Sequence, residues 1–296
     1  MPHKSGFVNI IGNPNVGKST LMNVLVGEKL SIITSKMQTT RHRIMGIVNG
    51  DDFQIVYSDT PGIIKPHYKL QKFMLNFVNS ALQDADILLY LTDVVETWDK
   101  NKIYLKKLND INIPIILLIN KIDLVDPKAI KQLIQDWKLR LPKAKIIPVS
   151  ALKKLNIDTL LNDIINLLPE CPPYFPKDQL TDKPEKFFVS EFIREQILIN
   201  YRKEIPYSVE IEVEEFKEDE KIIRIRSVIH VVRETQKGII IGHKGNTLKK
   251  VGTEARKGIE TFFNKKVFLE LFVKVNKEWR NNDRQLKSFG YHKIKM

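Results

Sequence analysis

The sequence predicts an α/β protein in which a domain with a mostly parallel sheet, covered by helices on both faces, precedes a smaller α+β domain. Apolar, β-branched runs alternate with segments of helical spacing from the start of the chain to about Leu168, and this alternation is typical of parallel sheets. A proline-rich stretch follows, and the order of elements changes beyond it. The 296 residues are enough for two domains, each with its own core.

Six strands and five helices are predicted in the first domain, which we place at residues 1–170. The strands are Phe7–Ile11, Ile44–Asn49, Phe53–Ser58, Ile87–Thr92, Ile115–Asn120 and Ile146–Val149. The helices are Ser19–Val26, Lys69–Leu82, Lys100–Asn109, Lys128–Arg140 and Asp158–Leu168. Gly50-Asp51-Asp52 favours a hairpin between the second and third strands.

The second domain is predicted at residues 187–296, after a proline-rich linker at residues 171–186 that shows no periodicity. Its elements alternate differently from those of the first domain. They are a helix at Phe188–Ile199, strands at Ser208–Phe216 and Ile222–Val232, a helix-turn-helix region at Lys237–Phe263 and a strand at Val267–Val275. We therefore expect two domains with different sheets.

The location of the charge says more about function than its size. The net charge is +13, yet residues 1–220 carry equal numbers of basic and acidic groups, so the whole excess lies in residues 221–296. A lysine-rich genomic composition is the alternative explanation, but it would spread lysine along the whole chain. A basic surface of this kind favours binding to nucleic acid through counterion release.

Other classes of protein receive little support from the composition. Cys171 is the single cysteine, so no internal disulfide can form, and no Cys/His cluster suggests zinc. The longest apolar stretch, around Ile113–Ile119, is far shorter than the ~20 residues of a membrane span. The N-terminus lacks the basic start and apolar run of a secretory signal. We expect a cytoplasmic protein.

A phosphate-binding loop is predicted between the first strand and the first helix. The run GNPNVGKS, from Gly12 to Ser19, fits the pattern G-x-x-x-x-G-K-[ST]. Backbone N–H groups and the helix N-terminus would hold phosphates, Lys18 would reach the outer ones, and the Ser19 hydroxyl would ligate Mg²⁺. A purely structural glycine turn is the alternative. The residues expected to contact nucleotide are Asn13, Pro14, Asn15, Val16, Gly17, Lys18, Ser19 and Thr20.

A second motif, Asp59-Thr60-Pro61-Gly62, follows the third strand. Asp59 is the expected second Mg²⁺-side ligand, and the Gly62 N–H can sense the γ-phosphate. Between the two motifs, Thr40 or, failing that, Thr39 is expected to ligate Mg²⁺ and close the first switch. Ile63 occupies the place of the water-orienting glutamine of Ras-like enzymes, so slow hydrolysis is expected.

Two later strand ends resemble the base-reading motifs of translation-factor-class GTPases. Asn120-Lys121-Ile122-Asp123 ends one strand and Ser150-Ala151-Leu152 ends the next. In this resemblance the Asp123 carboxylate accepts hydrogen bonds from guanine N1–H and the exocyclic amine, and adenine would leave it buried and unpaired. The Ala151 N–H would donate to guanine O6, while Asn120 and Lys121 hold the loop and cover the ring. A helix N-cap is the alternative for Asp123.

The basic C-terminal region contains a G-x-x-G turn between two helical segments, at Gly242, His243, Lys244 and Gly245. Such a turn lets the backbone approach a sugar-phosphate chain, as in a KH domain that clamps about four nucleotides. A simple helix-ending turn is the alternative. The β-β-helix-helix-β order, with Lys249, Lys250 and Arg256 on the second helix, favours a type II KH domain.

The complete set of motifs resembles the Era family of bacterial GTPases. The resemblance rests on GNPNVGKS, QTTRHR, DTPG and NKID, followed by IGHKG and by EARKGIE, FLELFVKV and RNNDRQLKSFGY. It implies GTP hydrolysis with Mg²⁺, binding near the 3′ end of 16S ribosomal RNA, and a role in maturation of the 30S subunit. It also implies a monomer with peripheral inner-membrane association. Asn15 resembles the asparagine that ligates K⁺ in cation-activated GTPases; an asparagine that merely suits the turn is the alternative.

Two other functions remain open at the level of sequence. A metabolic phosphotransferase or ATPase could use the same phosphate-binding loop, although NKID and SAL argue against it. A GTPase domain could also carry a protein-docking module, although the basic C-terminal region and its G-x-x-G turn argue against that. Nucleotide competition and salt-dependent RNA binding, respectively, distinguish these alternatives.

Overall fold

The computed structural model describes residues 2–96 and 102–292, which form two compact units. Unit 1 is made of Met1–Ser31, Thr40–Lys65 and Met74–Asp182, and unit 2 of Ile32–Thr39, Pro66–Phe73 and Lys183–Met296. The first domain predicted from sequence therefore contributes two short segments to unit 2.

Unit 1 contains a six-stranded sheet with the strand order β2-β3-β1-β4-β5-β6. The strands are β1 (Lys4–Gly12), β2 (Ile44–Asn49), β3 (Phe53–Asp59), β4 (Ile87–Asp93), β5 (Ile115–Asn120) and β6 (Lys145–Pro148). Only β2 runs antiparallel to its neighbour. Every residue of β4 and β5 is buried, which explains why these strands are continuous apolar runs instead of alternating ones.

Five α-helices accompany these strands in the described part of the chain. They are α1 (Lys18–Val26), α2 (Lys69–Gln83), α3 (Lys102–Asp110), α4 (Pro127–Arg140) and α5 (Ile157–Leu167). The predicted start of the third helix, Lys100, lies outside the described residues. Side chains from α2, α3 and α4 pack with β4 and β5 in one buried cluster that includes Leu88, Tyr90, Leu117 and Trp137.

The proline-rich segment belongs largely to unit 1, in contrast to the predicted linker at residues 171–186. The N–H groups of Tyr174 and Phe175 donate to Gln54 Oε1 at 2.8 and 3.0 Å. Further along, Ile47 N–H donates to Leu180 O at 2.8 Å. The edge strand β2 offers unpaired backbone groups, and the segment satisfies them. The part of the segment outside unit 1 therefore begins only at Lys183.

Unit 2 contains a three-stranded sheet with the order β7-β8-β9, in which β7 and β8 are antiparallel and β8 and β9 parallel. Its α-helices and strands are α6 (Glu185–Asn200), β7 (Glu210–Glu218), β8 (Ile222–Val231), α7 (Glu234–Ile241), α8 (Asn246–Phe263), β9 (Lys266–Val275) and α9 (Asp283–Ser288). Helices α6 and α8 pack through Phe188 and Phe262, whose rings stack 4.9 Å apart. The short helix α9 was not predicted, although Asn282 caps it through two backbone N–H groups.

Candidate nucleotide site and nucleic-acid surface

The loop between β1 and α1 requires its glycines. At Gly17, φ is 101° and an added Cβ would lie 2.2 Å from Asn120 Nδ2. At Gly12, an added Cβ would lie 2.2 Å from the backbone oxygen of Leu91. Left-handed backbone and close packing both exclude a side chain at these positions. The loop therefore presents its backbone at the N-terminus of α1, where anions bind favourably.

Lys18 is a buried cation in this loop. Its ammonium donates to Gly12 O at 3.2 Å and to Asn13 O at 2.7 Å, and the residue is 6% exposed. Burial lowers the pKa of Lys18 to about 8, although the nearby carboxylates of Asp59 and Glu96 act in the opposite direction. A bound phosphate would favour the charged form of this lysine further.

The three predicted Mg²⁺ ligands meet in unit 1. Ser19 Oγ lies 2.8 Å from Thr40 Oγ1 and donates to Asp59 Oδ2 at 2.7 Å, while Thr40 Oγ1 lies 3.1 Å from the same carboxylate oxygen. Asp59 is fully buried, and burial raises the pKa of its carboxyl group. Its Oδ1 atom has no hydrogen-bond partner among the described residues. Two hydroxyls and a carboxylate form the oxygen-rich set that Mg²⁺ prefers, so these residues fit the ion.

The geometry separates the two threonines that the sequence left as alternatives. Thr40 is 7% exposed and reaches the Ser19 and Asp59 oxygens. Thr39 instead donates to Lys36 O at 2.6 Å and contacts the Thr34 hydroxyl at 2.7 Å. The side chains of these adjacent residues point to different surroundings, which favours Thr40 over Thr39.

Asn120 connects three loops at the carboxyl end of the sheet. Its Nδ2 donates to Val16 O at 2.8 Å, and its Oδ1 accepts from Ala151 N–H at 3.0 Å. The Ala151 N–H therefore has a protein acceptor in this structure, and its donation to guanine O6 stays a prediction. The amide of Asn120 joins the phosphate loop to the Ser150–Leu152 turn, as expected for a residue that holds the loop.

The other base-reading residues surround an open surface. Asp123 is exposed in the short 3₁₀-helix Ile122–Leu124. Its carboxylate would therefore become buried only when a base is bound. The Lys121 ammonium donates to Asn15 O at 2.7 Å and pairs with Asp93 at 2.5 Å. Leu152 is 75% exposed, whereas Ser150 is fully buried. The exposed Asp123 carboxylate and the Leu152 side chain leave the base-reading side of the site accessible.

The second motif packs directly against the phosphate loop. A Cβ added at Gly62 would lie 2.7 Å from the backbone nitrogen of Pro14, and Ile63 N–H donates to Gly12 O at 3.1 Å. The Ile63 side chain lies in the apolar core with Ile11 and Val78. This placement agrees with the expectation that position 63 provides no water-orienting group.

Four remaining predicted contact residues lie at different depths. Val16, Thr60 and Pro61 are buried, and Thr20 on α1 is half-buried. The Thr60 hydroxyl donates to Ile10 O at 2.7 Å. The Thr60 contact is within the protein, and a nucleotide contact at each of these four positions stays a prediction.

Glu96 is a site residue that sequence reasoning missed. Its carboxylate accepts from the Asn13 amide and from the Thr92 hydroxyl, the latter at 2.8 Å. It also lies close enough to Lys18 to affect that lysine's pKa. Glu96 follows β4 in no recognisable motif, so only the parallel strand order brings it to the phosphate loop.

The G-x-x-G turn of unit 2 lies between α7 and α8. Gly242, Lys244 and Gly245 all have positive φ, at 71°, 51° and 78°. His243 and Lys244 are exposed at the tip of the turn. An added Cβ would collide with Thr247 Oγ1 at Gly242 but meets nothing within 4 Å at Gly245. The turn therefore has one glycine that its own packing requires and one that is open to a ligand.

A cavity of about 460 Å³ extends from this turn along α8 and β9. Lys249 and Arg256 supply positive charge to its lining, and Phe268 and Leu271 supply apolar surface. Lys250 is exposed on the same helix but does not line the cavity. A backbone turn, two cations and apolar side chains provide the kinds of contact that single-stranded nucleic acid uses.

A nucleotide site of this design on a parallel sheet, followed by a G-x-x-G unit, defines a P-loop GTPase with an appended KH domain. The family model for "50S ribosome-binding GTPase" matches residues 7–121 and the one for "KH domain" matches residues 204–280. GTPase Era of Clostridium kluyveri is 46% identical over 290 residues, which cover 97% of this chain and 99% of the relative. GTPase Era of Alkaliphilus metalliredigens is 44% identical, covering 98% of this chain and 100% of the relative. The chain belongs to the Era family of GTPases.

Solved structures of the same family share the fold. Era in complex with MgGDPNP and nucleotides 1506-1542 of 16S ribosomal RNA superposes with a TM-score of 0.93 at 39% identity, covering 98% of this chain and 99% of that one. A single-residue variant of Aquifex aeolicus Era bound to GDP and AlF4⁻ gives 0.93 at 38%, covering 97% and 99%. The predicted α/β domain and KH domain are thereby confirmed. Among residues 2–96 and 102–292, no helix combines the length and apolarity needed to cross a bilayer.

Proposed function

We propose that this GTPase is a nucleotide-controlled RNA-binding protein that binds 16S ribosomal RNA near its 3′ end and assists maturation of the 30S subunit. The meeting of Ser19, Thr40 and Asp59 beside Lys18 carries the nucleotide part of the proposal. The G-x-x-G turn and its adjoining cavity support the RNA part. The related Era structure, which was solved with MgGDPNP and a 16S fragment, supports the choice of ligands.

Each group in the nucleotide site has a proposed task. Lys18 binds the outer phosphates, Gly62 senses the γ-phosphate through its N–H, and Asp123 selects guanine. Ser19, Thr40 and Asp59 would hold Mg²⁺. When bound, that ion would supply positive charge that neutralises the negative charge developing on the phosphates during transfer. No side chain at position 63 orients water, so we propose slow intrinsic hydrolysis that serves as a timer for release of RNA.

RNA affinity is expected to depend on the nucleotide, with tighter binding in the presence of a GTP analogue than of GDP. The physical reason is that Thr40 and Gly62 are proposed to respond to the γ-phosphate. Their contacts with the nucleotide can form only when that phosphate is present. By linkage, RNA must raise affinity for the GTP analogue over GDP by the same factor, about 5- to 150-fold for ordinary coupling energies.

The measurement is affinity for a 16S 3′-end fragment at one fixed salt concentration, with GDP, with a GTP analogue and with no nucleotide. Fixing the salt matters because the basic excess of unit 2 makes binding salt-dependent. An unrelated RNA of equal length serves as the control for general electrostatic attraction. Equal affinities for the 16S fragment in all three states would refute nucleotide control.

Potassium at Asn15 is a further part of the proposal. Asn15 is exposed on the phosphate loop with φ of 65°. Asparagine adopts this left-handed conformation more readily than most residues, because its short side chain can form local hydrogen bonds. A K⁺ ion there would place positive charge where other GTPases use an arginine finger. We expect hydrolysis to be slower in Na⁺ than in K⁺ at constant ionic strength, and Asn15→Ala to remove this difference. An unchanged rate in the two salts would exclude the ion.

The proposal also includes a cytoplasmic monomer with peripheral inner-membrane association. The family resemblance supports these properties, and the basic excess in residues 221–296 is compatible with attraction to anionic lipid. Sedimentation gives the oligomeric state. Flotation with anionic and neutral vesicles, with and without competing RNA, tests the membrane association.

A further inference from the structure

Two segments of the nucleotide-binding region belong to unit 2. We call Ile32–Thr39 switch segment 1 and Pro66–Phe73 switch segment 2. The first ends immediately before Thr40, and the second begins three residues after Ile63. Both segments flank residues to which we assign a response to the γ-phosphate. Their contacts within unit 2 therefore bear on how Thr40 is placed.

A side chain of helix α6 donates hydrogen bonds to two backbone carbonyls of switch segment 1. Arg194 Nη1 donates to Gln38 O at 3.3 Å, and Arg194 Nη2 donates to Thr39 O. At the other end of the contact, the Lys36 ammonium donates to Leu198 O and Tyr201 O, where α6 ends. A cation is favoured at that place because the carbonyls of a helix C-terminus carry partial negative charge.

The Arg194 side chain is fixed in place. It is 1% exposed, and its guanidinium pairs with the Glu191 carboxylate through Nε, at 2.8 Å, and through Nη2. A buried ion pair contributes little net stability compared with apolar packing. Its planar fork, however, sets the direction of the remaining N–H groups. In α6 these groups are aimed at the carbonyls of Gln38 and Thr39.

Switch segment 2 contacts the same region of switch segment 1. The Tyr68 hydroxyl donates to Gln38 Oε1 at 3.1 Å, and Arg280 lies 5.0 Å from the Tyr68 ring centre. Lys69 pairs with Asp283 at 3.0 Å. Gln38 therefore receives a hydrogen bond at its backbone from Arg194 and another at its side chain from Tyr68.

We propose that Arg194 is a positioning residue for Thr40. The carbonyl of Thr39 and the N–H of Thr40 belong to one planar peptide group, so a guanidinium that holds Thr39 O also fixes the plane from which Thr40 projects. Arg194 thereby orders the Thr40 hydroxyl for the Mg²⁺-bound γ-phosphate state. The inference rests on the proposed function, because it takes Thr40 as a ligand in the GTP state.

The test compares affinities for GDP and for an Mg²⁺-bound GTP analogue in the full-length protein. In Arg194→Met, GTP-analogue affinity is expected to fall about 10- to 100-fold, the range for losing charge-assisted hydrogen bonds. GDP affinity should stay unchanged, since GDP offers no γ-phosphate to the switch. Thr40→Val should produce a similar selective loss. The double variant should lose little more than either single variant, because both remove the same interaction.

Two variants protect the test against misfolding and charge effects. Lys186→Met removes a cation from the same helix, where the ammonium lies 3.5 Å from Val213 O, away from the switch segments; it should bind both nucleotides normally. In the combined variant Glu191→Gln with Arg194→Met, a neutral amide replaces the Glu191 carboxylate, so the loss of Arg194 leaves no unpaired charge at position 191. It should keep the selective loss while its thermal unfolding stays close to that of the wild type.

The remaining outcomes separate this inference from the proposed function. Losses that add fully in the double variant, or an equal loss for GDP, would overturn the positioning role. An unaltered GTP-analogue affinity in Arg194→Met, beside a selective loss in Thr40→Val, would overturn this inference and leave the ligand assignment intact. Unaltered affinity in Thr40→Val would refute the ligand assignment and with it this inference.

Discussion

Replacing Asp123 by asparagine is expected to change the preferred base from guanine to xanthine. The carboxylate is proposed to accept from guanine N1–H and the exocyclic amine, two charge-assisted hydrogen bonds worth about 1.5–3 kcal/mol each. Their loss should weaken GDP binding by roughly 100- to 10,000-fold. Xanthine carries an oxygen in place of the amine, so an amide can donate to that oxygen and still accept from N1–H. Competition between GDP and XDP for the purified variant measures the change.

Asp126→Asn is a matched control for this substitution. Asp126 is exposed three residues away and caps α4 by accepting from the N–H groups of Lys128 and Ala129, at 2.8 and 3.1 Å. Asparagine is an equally good N-cap, so this variant should keep both its stability and its preference for GDP. If Asp123→Asn also kept full GDP affinity, or bound ATP as well as GTP, the assignment of the base-reading residue would be wrong.

The sequence predicted those parts of the nucleotide site that lie in short motifs of consecutive residues. Gly12, Asp59 and Asn120 each end a buried strand. Parallel strands bring their carboxyl ends to one edge of the sheet, so short motifs separated by many residues could be expected to meet. The same reasoning located Ser19 at the start of α1, and the observed meeting of Ser19, Thr40 and Asp59 agrees with it.

Contacts that depend on packing between distant segments were not predictable. Glu96 follows β4 without a motif, and nothing in the sequence near Arg194 indicates that its partners are the carbonyls of Gln38 and Thr39. The proline-rich segment showed no periodicity, yet Gln54 and the edge strand β2 provide its backbone partners. Backbone carbonyls and edge-strand N–H groups occur at every position, so only the folded chain selects which of them are used.

The assignment of two short segments to unit 2 bears on the proposed nucleotide control. Prolines keep a linker extended and limit its conformations, so the predicted linker at residues 171–186 would be one route for transmitting a rearrangement. In the structure, Leu180 of that segment pairs with Ile47 of β2, and switch segments 1 and 2 belong to unit 2. A change at Thr40 is thus one peptide bond from a residue of unit 2. The peptide bond between Thr39 and Thr40 is therefore a covalent route for the proposed control, and this route does not depend on a stiff linker.

Gly245→Asp is expected to remove most RNA binding while leaving nucleotide binding intact. An added Cβ at Gly245 meets nothing within 4 Å, and φ of 78° is a conformation that aspartate tolerates at a modest cost of about 1 kcal/mol. The new carboxylate would face the proposed phosphate path. Like charges about 5 Å apart repel by about 3 kcal/mol at the dielectric of a protein surface, which corresponds to roughly 100-fold weaker binding. Gly242→Asp is unsuitable, because its Cβ would lie 2.1 Å from Thr247 Oγ1 and distort the turn.

Gly238→Asp provides the matched control for this last experiment. Gly238 is exposed on α7, one helical turn before the G-x-x-G turn, and an added Cβ there also meets nothing within 4 Å. It introduces the same charge into the same unit, so it measures the effect of lowering the net charge alone.

Affinity for the 16S fragment is measured for both variants over a range of salt concentrations, alongside GDP affinity and thermal unfolding. The Gly245 variant should lose affinity at every salt concentration, whereas the Gly238 variant should approach the wild type as salt screens the added charge. Equal losses in the two variants would show that the turn makes no close contact with the RNA backbone, and the KH-type clamp would then be the wrong assignment for this surface.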